Sequence, residues 1–243
     1  MKKILLIVYS IIISVFLFQG CSQPNEPSDE FNMQSFFPLK VGNWWIYEFY
    51  YLDANGNRTY KIQADSIIVT GLDTINGKPC YVLVEKCVEG SCYPDTEYYF
   101  NEGGRLYHYT APGMHGKNPR DWYILANLKS YNWDMFSVYD TLPHGNNPSF
   151  LHAVANINNN FETKILFNGD TINCRNFSRK YKYTNRFMGL DGDTIENTIR
   201  RYETQFYYAK YIGIINQKNM YFEGYNSLTN KGVEKVLIDY GPK

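Results

Sequence analysis

Short segments of aromatic and β-branched residues, separated by Gly, Asn and Asp turns, constrain this fold more than any other feature. The first segment, Trp44 to Leu52, is followed by a turn that contains Asn55-Gly56, and a later hairpin is centred on Gly103-Gly104. Such side chains favour strands, and Asn-Gly favours the tight turn of a hairpin. Similar segments recur up to residue 240. The sequence therefore predicts an all-β fold, an antiparallel meander that forms a curved sheet, an open barrel or a sandwich.

No polar linker divides residues 36–243, and no run of alternating strands and helices appears there. We therefore expect a single all-β domain over 36–243, with a short helix at 122–130 as the one exception. A domain of this length buries about 70% of its unfolded surface, so it needs no metal to fold.

The charge balance argues against nucleic acid as a partner. The chain has 24 Lys and Arg against 24 Asp and Glu, so no excess of positive charge is present to bind phosphates. Aromatic residues make up 17% of the chain, including 23 Tyr. Predicted strands account for much of this excess, which is also the clearest compositional indication of ligand binding.

The N-terminus has the pattern of a secretory signal peptide. Lys2 and Lys3 precede an almost wholly apolar run from Ile4 to Phe18. A membrane-spanning helix needs about 20 apolar residues, so this shorter run fits a signal peptide better. We predict a signal peptide over residues 1–20.

The segment Phe18-Gln19-Gly20-Cys21-Ser22 resembles the processing site of bacterial lipoprotein precursors. The resemblance implies cleavage before Cys21 and attachment of palmitate-like acyl chains to it, which would be the contact with the membrane. Two or more acyl chains give stable anchoring, whereas one gives only marginal binding. Residues 21–35 would then form the lipidated cysteine and a flexible tether. By analogy with the family, Ser22 after Cys21 favours the outer membrane of the cell envelope, on either its periplasmic or its surface face.

Four further cysteines fit an exported protein, in which disulfides are stable. Cys87 and Cys92 flank a four-residue loop and are predicted to form a disulfide across a hairpin. Cys80 and Cys174 remain as a second, weaker candidate pair. A zinc site needs two close pairs, and the sequence has one, so no metal is predicted.

A second resemblance covers residues 36–240. Phe37-Pro38-Leu39-Lys40-Val41-Gly42-Asn43-Trp44-Trp45-Ile46-Tyr47 resembles the Phe-Pro-Leu-x-x-Gly-x-x-Trp-x-Tyr opening of a group of exported bacterial proteins. Gly104-Arg105-Leu106-Tyr107 and the segment Tyr208 to Ile215 resemble later parts of that group. The resemblance implies an all-β exported domain without a known set of catalytic residues.

Trp44 and Trp45 lie on opposite faces of the first strand, because side chains alternate along a strand. We interpret Trp45 as a core residue and Trp44 as cover for the other face. A role in stacking on a ligand is the alternative for both.

The tripeptide Asp-Thr-Ile occurs three times, with its threonines at Thr74, Thr171 and Thr194. It resembles the O-glycosylation sequence of exported Bacteroidetes proteins, which implies glycans on these threonines. The alternative is that Asp closes a turn and Thr-Ile starts a strand.

No catalytic or cofactor motif was found. The four histidines His108, His115, His144 and His152 lack the close spacing of metal ligands, and no phosphate-binding loop or nucleophile elbow is present. No catalytic residue and no cofactor are therefore predicted.

Three hypotheses for function remain. The leading one is a membrane-anchored, non-catalytic β domain with a binding or structural role for a protein, glycan or lipid partner, and it expects a filled interior without convergent titratable groups. The second is a carrier of a hydrophobic or lipid ligand, which expects an apolar cavity of several hundred cubic ångströms. The third is an envelope glycan hydrolase, which expects two carboxylates roughly 5–10 Å apart in a groove.

Overall fold

The chain folds into one antiparallel sheet of 12 strands that curves into a nearly closed barrel. The computed structural model describes residues 32–91, 94–111, 120–142, 149–188, 194–223 and 232–242. The all-β prediction is confirmed, and the open barrel is the correct alternative among those that the sequence allowed. No helix among the described residues is long and apolar enough to cross a membrane.

The helix and strands follow one another along the chain as α1 (Met33–Phe36), β1 (Trp44–Leu52), β2 (Arg58–Ile75), β3 (Lys78–Glu89), β4 (Asp95–Glu102), β5 (Arg105–Thr110), β6 (Asp121–Asn127), β7 (Asn132–Leu142), β8 (Ser149–Phe167), β9 (Asp170–Met188), β10 (Thr194–Ala209), β11 (Gly213–Glu223) and β12 (Gly232–Gly241). β1 has the predicted bounds. The helix predicted at 122–130 is wrong, because most of that segment forms β6, which pairs with β5.

Every strand pairs with its neighbours in sequence except that β6 and β7 do not pair, and the first strand also pairs with the last. The two free edges are therefore β6 and β7, which are consecutive along the chain. Side chains join them: the Trp133 indole N–H donates to the Ile124 carbonyl over 3.0 Å. The rings of Tyr123 and Phe136 also meet there, with centroids 5.9 Å apart. The barrel thus closes through packing at the one place where it lacks a backbone ladder.

Tight turns close one end of the barrel. Asn76-Gly77, Gly103-Gly104 and Asn168-Gly169 link β2 to β3, β4 to β5 and β8 to β9, and all six residues have positive φ. Such two-residue turns match the right-handed twist of the strands they join. Gly and Asn are the residues that adopt positive φ most readily, so the sequence specifies these turns directly.

Residues 33–39 pack across this same end of the barrel, which we call the capped end. Met33 and Leu39 are each 1% exposed, and Phe37 packs against the rings of Trp45, Tyr99 and Tyr208. The amide of Tyr211, in the β10–β11 turn, donates to the carbonyl of Ser35. The tether predicted for 21–35 therefore ends sooner than expected, since residues 32–35 are helical or capping and mostly buried.

Two aromatic side chains of β1 reach past the adjacent strand β12 to carbonyls just before and within β11. The Trp45 indole N–H donates to the Ile212 carbonyl, and the Tyr47 hydroxyl donates to the Ile214 carbonyl over 2.9 Å. Both rings are 2% exposed. Buried polar groups need partners, so these bonds let the two rings enter the core without an unsatisfied donor. The assignment of Trp45 to the core is confirmed.

Gly213 makes the approach of Trp45 feasible. Its φ is +111°, and a Cβ atom placed on it would lie 2.9 Å from the Trp45 indole nitrogen. Any larger residue would therefore have to adopt an unfavourable backbone conformation and displace a ring that is already hydrogen-bonded.

We expect Gly213→Ala to lower the free energy of unfolding by about 2–4 kcal/mol, because left-handed strain and overpacking add at this site. Urea unfolding followed by circular dichroism measures the loss. Gly71→Ala is the matched control, since no atom lies within 4 Å of a Cβ built there and its φ is ordinary. Equal losses in the two variants would contradict the role assigned to Gly213.

Candidate functional site

The interior of the barrel is not filled. It encloses a cavity of about 410 Å³ whose walls come from ten of the strands and from Phe37. Its apolar lining consists of Phe37, Trp45, Tyr47, Phe49, Ile67, Leu83, Tyr99, Leu125, Phe206 and Ile214, and its polar lining of Gln63, Asp65, Glu85, Asp95, Glu97, His108, Arg179, Gln217 and Lys235. Asp95, the first residue of β4, is exposed. The cavity therefore opens to solvent at the end of the barrel opposite the capped end.

Three neighbouring strands form an acidic wall. Ile67 of β2 faces Glu85 of β3, and Glu85 in turn faces Asp95 of β4. Side chains two residues apart share a strand face, so Asp65 and Glu97 point to the same side as these residues. The register of the sheet thus brings four carboxylates onto the inner surface, where all four line the cavity.

Asp65 is the most deeply buried of these carboxylates, with 2% of the residue exposed. Its Oδ2 accepts a hydrogen bond of 2.8 Å from the Gln63 side-chain amide. Its Oδ1 is fully buried and has no hydrogen-bond partner among the described residues. Buried carboxylates are normally paired with a cation or with several hydrogen-bond donors. Asp65 has one such donor, Gln63, and lacks a partner for Oδ1 among the described residues.

Glu85 has a cationic partner. The Lys235 ammonium lies 3.4 Å from Glu85 Oε1 and is also over the rings of Tyr47 and Phe49, at 4.5 and 5.1 Å from their centroids. Burial raises the pKa of Glu85, and the nearby Lys235 opposes that rise. The negative charges of Glu97 and Asp65 raise the pKa of Glu85 further, because the carboxylates of the acidic wall repel one another.

Glu97, Tyr99 and His108 form a second polar group in the wall. The Tyr99 hydroxyl donates to Glu97 Oε2 over 2.6 Å, and His108 Nε2 lies 3.9 Å from Glu97 Oε1. The His108 ring stacks on Tyr99 with centroids 4.5 Å apart. Burial lowers the pKa of His108, and this effect outweighs the opposing influence of Glu97. His108 is therefore neutral at pH 7.

Arg179 approaches the cavity from β9. Its guanidinium lies over the rings of Tyr181 and Phe206, at 4.7 and 4.9 Å from their centroids, and Nη1 is 3.9 Å from the sulfur of Met135. Its Nε is buried without a hydrogen-bond partner among the described residues. Arg179 thus interacts with aromatic faces and not with the acidic wall.

Trp45 and Trp44 differ in their position relative to the cavity. Trp45 forms part of the cavity wall, whereas Trp44 lies on the other face of β1, where its indole covers Gly241 so closely that a Cβ there would be 2.6 Å from the ring. The ligand-stacking roles predicted for both residues stay predictions, and only Trp45 is placed beside the cavity.

The cysteines divide into two groups. Cys80 and Cys174 are free, buried thiols, so the second disulfide proposed from the cysteine count is wrong. Their sulfurs contact the carbonyls of Asp73 and Ile172, and burial raises the pKa of Cys174 to about 11. Cys92 lies outside the described residues, as does Cys21, so the Cys87–Cys92 bridge and the lipid attachment stay predictions.

The three candidate glycosylation threonines do not share one end of the barrel. Thr74 and Thr171 are exposed beside the Asn76-Gly77 and Asn168-Gly169 turns, at the capped end. Thr194 begins β10 at the opposite end, and its side chain lies outside the described part of the structure. The turn interpretation fits Asp170-Thr171-Ile172, which begins β9 after a turn, but not Asp73-Thr74-Ile75, which ends β2. Glycosylation stays a prediction.

Among the described residues, no group of three or more His, Cys, Asp or Glu is placed to hold a metal ion. Of the histidines, His108 lines the cavity and His152 contacts the Ser137 hydroxyl at 2.9 Å. His115 and His144 lie outside the described residues.

Sequence reasoning missed Asp65, Glu85 and Glu97 as site residues. Asp65 and Glu85 occupy inward positions next to inward apolar residues, as in Asp65-x-Ile67 and Leu83-x-Glu85, and Glu97 lies between the inward residues Asp95 and Tyr99. That alternation is a usable signal. It becomes specific only when the register shows that the charged positions of neighbouring strands converge.

A second cavity, of about 530 Å³, lies on the β2–β3 hairpin beside Cys80 and Phe100. Its two charged residues, Lys78 and Glu102, pair with each other at 3.7 Å. This second cavity therefore lacks the unbalanced charge of the barrel interior.

No protein-family model matches the chain, and no curated protein matches it. The chain is similar to the solved structure of a candidate lipoprotein from Parabacteroides distasonis ATCC 8503, with 15% identity and a TM-score of 0.47 over 85% of this chain and 98% of that one. It is also similar to a candidate exported protein with a YmcC-like fold from Bacteroides fragilis NCTC 9343, with 12% identity and a TM-score of 0.41 over 85% of this chain and 99% of that one. The function of the chain must therefore be argued from its own cavity.

The buried, neutral His108 makes stability depend on pH. Its pKa in the folded state lies below the unfolded value of 6.5, so the unfolded state takes up a proton first as the pH falls. We expect the wild type to lose more stability than His108→Gln as the pH falls from 8 to 5.5, because the histidine proton is taken up only by the wild type. Denaturant unfolding at pH 5.5 and 8 checks this, and parallel pH profiles for the two proteins would contradict it.

Proposed function

We propose that this chain is a membrane-anchored envelope lipoprotein whose barrel binds a small ligand without catalysing a reaction. The observation that carries this proposal is the solvent-accessible cavity of about 410 Å³ inside the barrel. Ligand sites are typically concave, mostly apolar, and furnished with a few convergent polar groups. This cavity has aromatic and aliphatic walls together with the acidic wall, Lys235 and Arg179.

The cavity changes the weight of the first two hypotheses. The filled interior without convergent titratable groups that the leading hypothesis expected is absent from the described residues. The carrier hypothesis expected a cavity of this size, but its walls carry four carboxylates, which do not suit a wholly apolar ligand. A binding role is retained, and the ligand is one with polar as well as apolar parts.

Two contacts favour binding over glycan hydrolysis. Glu85 is paired with Lys235, and Glu97 accepts a hydrogen bond from Tyr99. Both carboxylates are therefore already engaged with protein groups. The hydrolase hypothesis stays a prediction, and it is not the one that these contacts support.

The anchor is proposed from the sequence. The charged Lys2-Lys3, the apolar run and Gly20-Cys21 support cleavage before Cys21 and acylation of its sulfur. Placement in the outer membrane follows the family analogy at Ser22.

Filling the cavity should abolish binding. Three indole probes of similar size test this: tryptamine (cation), N-acetyltryptamine (neutral) and indole-3-propionate (anion). We expect the full-length protein in detergent to bind at least one of them in isothermal titration calorimetry, corrected by titration into empty micelles. Ile67→Trp should weaken that binding by about tenfold or more, because its side chain would project into the cavity.

Ile238→Trp is the matched control, because Ile238 is 42% exposed and does not line the cavity. It should bind like the wild type. Failure of all three probes to bind, or equal binding by the Ile67→Trp and Ile238→Trp variants, would refute a ligand-binding cavity.

Acyl labelling tests the anchor. Cells that express the wild type and grow with labelled palmitate should incorporate label into the protein, and Cys21→Ser should lose it. Cys174→Ser, which removes a buried free thiol, should keep the label. Equal labelling of the wild type and the Cys21→Ser variant would refute lipidation at Cys21.

A further inference from the structure

We infer that the ligand is a small organic cation, a protonated amine with an apolar body, whose ammonium group binds Asp65 in the barrel cavity. This inference rests on the proposed function, because it names the chemical class of ligand for the same cavity. Three features of the cavity carry it: the incomplete environment of Asp65, the charge balance of the lining and the aromatic surfaces around the carboxylate.

The buried oxygen of Asp65 needs a donor that the described protein does not supply. Gln63 already donates to the other carboxylate oxygen. Tyr47, which faces Asp65 in the neighbouring strand, uses its hydroxyl hydrogen to bond the Ile214 carbonyl. With both neighbours committed, Oδ1 remains without a partner although the residue is 2% exposed and lines the cavity. An N–H donor that also carries positive charge satisfies both needs.

The charge of the lining is negative overall. Asp65, Glu85, Asp95 and Glu97 give four negative charges, and Lys235 and Arg179 give two positive ones, so the sum is −2. His108 adds nothing at pH 7 because burial lowers its pKa. Lys235 is paired with Glu85, and Arg179 lies over two aromatic rings. Among the described residues, neither cation forms an ion pair with Asp65, the most buried carboxylate of the cavity.

The surfaces near Asp65 suit the rest of such a ligand. Its neighbours on β1 are Tyr47, directly opposite, with Trp45 and Phe49 two residues to either side on the same face. Aromatic faces attract cations at distances up to about 6 Å and also bind apolar groups. In this same cavity the Lys235 ammonium already lies over Tyr47 and Phe49. An amine on an apolar body therefore finds a counter-ion and aromatic contacts side by side.

The arrangement fits an organic cation better than a metal ion. Hard divalent cations take six or more oxygen ligands. Among the described residues, no group of three or more potential ligands converges here or elsewhere. One carboxylate beside aromatic rings is instead the kind of site that an ammonium group with three donors can use.

The charge of the probe is the decisive variable. In the titrations described above, we expect the wild type to bind tryptamine at least tenfold more tightly than N-acetyltryptamine, and indole-3-propionate more weakly than either. Asp65→Asn should abolish this preference, because the amide keeps the size of the side chain and removes its charge. Asp73→Asn, which removes an exposed carboxylate from the same strand, should keep it.

The outcomes separate the two proposals. Binding of the neutral or anionic probe as tightly as tryptamine would refute the cationic ligand and leave the ligand-binding cavity intact. Failure of every probe would refute both. The comparison of probes on the wild type needs no variant, so it decides the matter even if Asp65→Asn unfolds. If that variant does fold, an unchanged tryptamine preference would refute Asp65 as the binding group.

Discussion

The hydrogen bonds from Trp45 and Tyr47 to the carbonyls of Ile212 and Ile214 join the first strand to the start of the eleventh across 167 residues of sequence. β12 separates these strands in the sheet, so the bonds pass through the interior and not along the ladder. They fix the position of the Trp45 ring, on which Phe37 stacks at 5.6 Å. The capped end, the floor of the cavity and the need for glycine at 213 all follow from this one contact.

The same contact explains the opening motif and the late segment that the sequence brought together only by resemblance. Phe37 and Leu39 fill the capped end, while Trp45 and Tyr47 reach the β11 carbonyls. Gly42 has a φ of +94°, and its amide bonds the Val69 carbonyl, so the turn into β1 is tied to β2. The motif therefore supplies the residues that close one end of the barrel.

The local features of the fold could be predicted from the sequence, whereas the site could not. Asn76-Gly77 and the aromatic run of β1 determine their own conformation through backbone preferences that act over a few residues. The acidic wall depends on the pairing of β2 with β3 and of β3 with β4, which no single segment encodes. Cys80 and Cys174 illustrate the same limit, because an even count of cysteines says nothing about which strands place them together. The helical segment at Met33 was missed for a related reason: four residues are too few to show a period, and their burial depends on the whole barrel.

The plug at the capped end has a kinetic consequence. With Phe37, Leu39 and Trp45 buried across that end, the described residues leave the cavity open at the opposite end, near Asp95. A ligand of the proposed kind would therefore enter and leave by the same opening, so the barrel would capture and release it and would not pass it from one end to the other. Its residence time would depend on the contacts at the acidic wall.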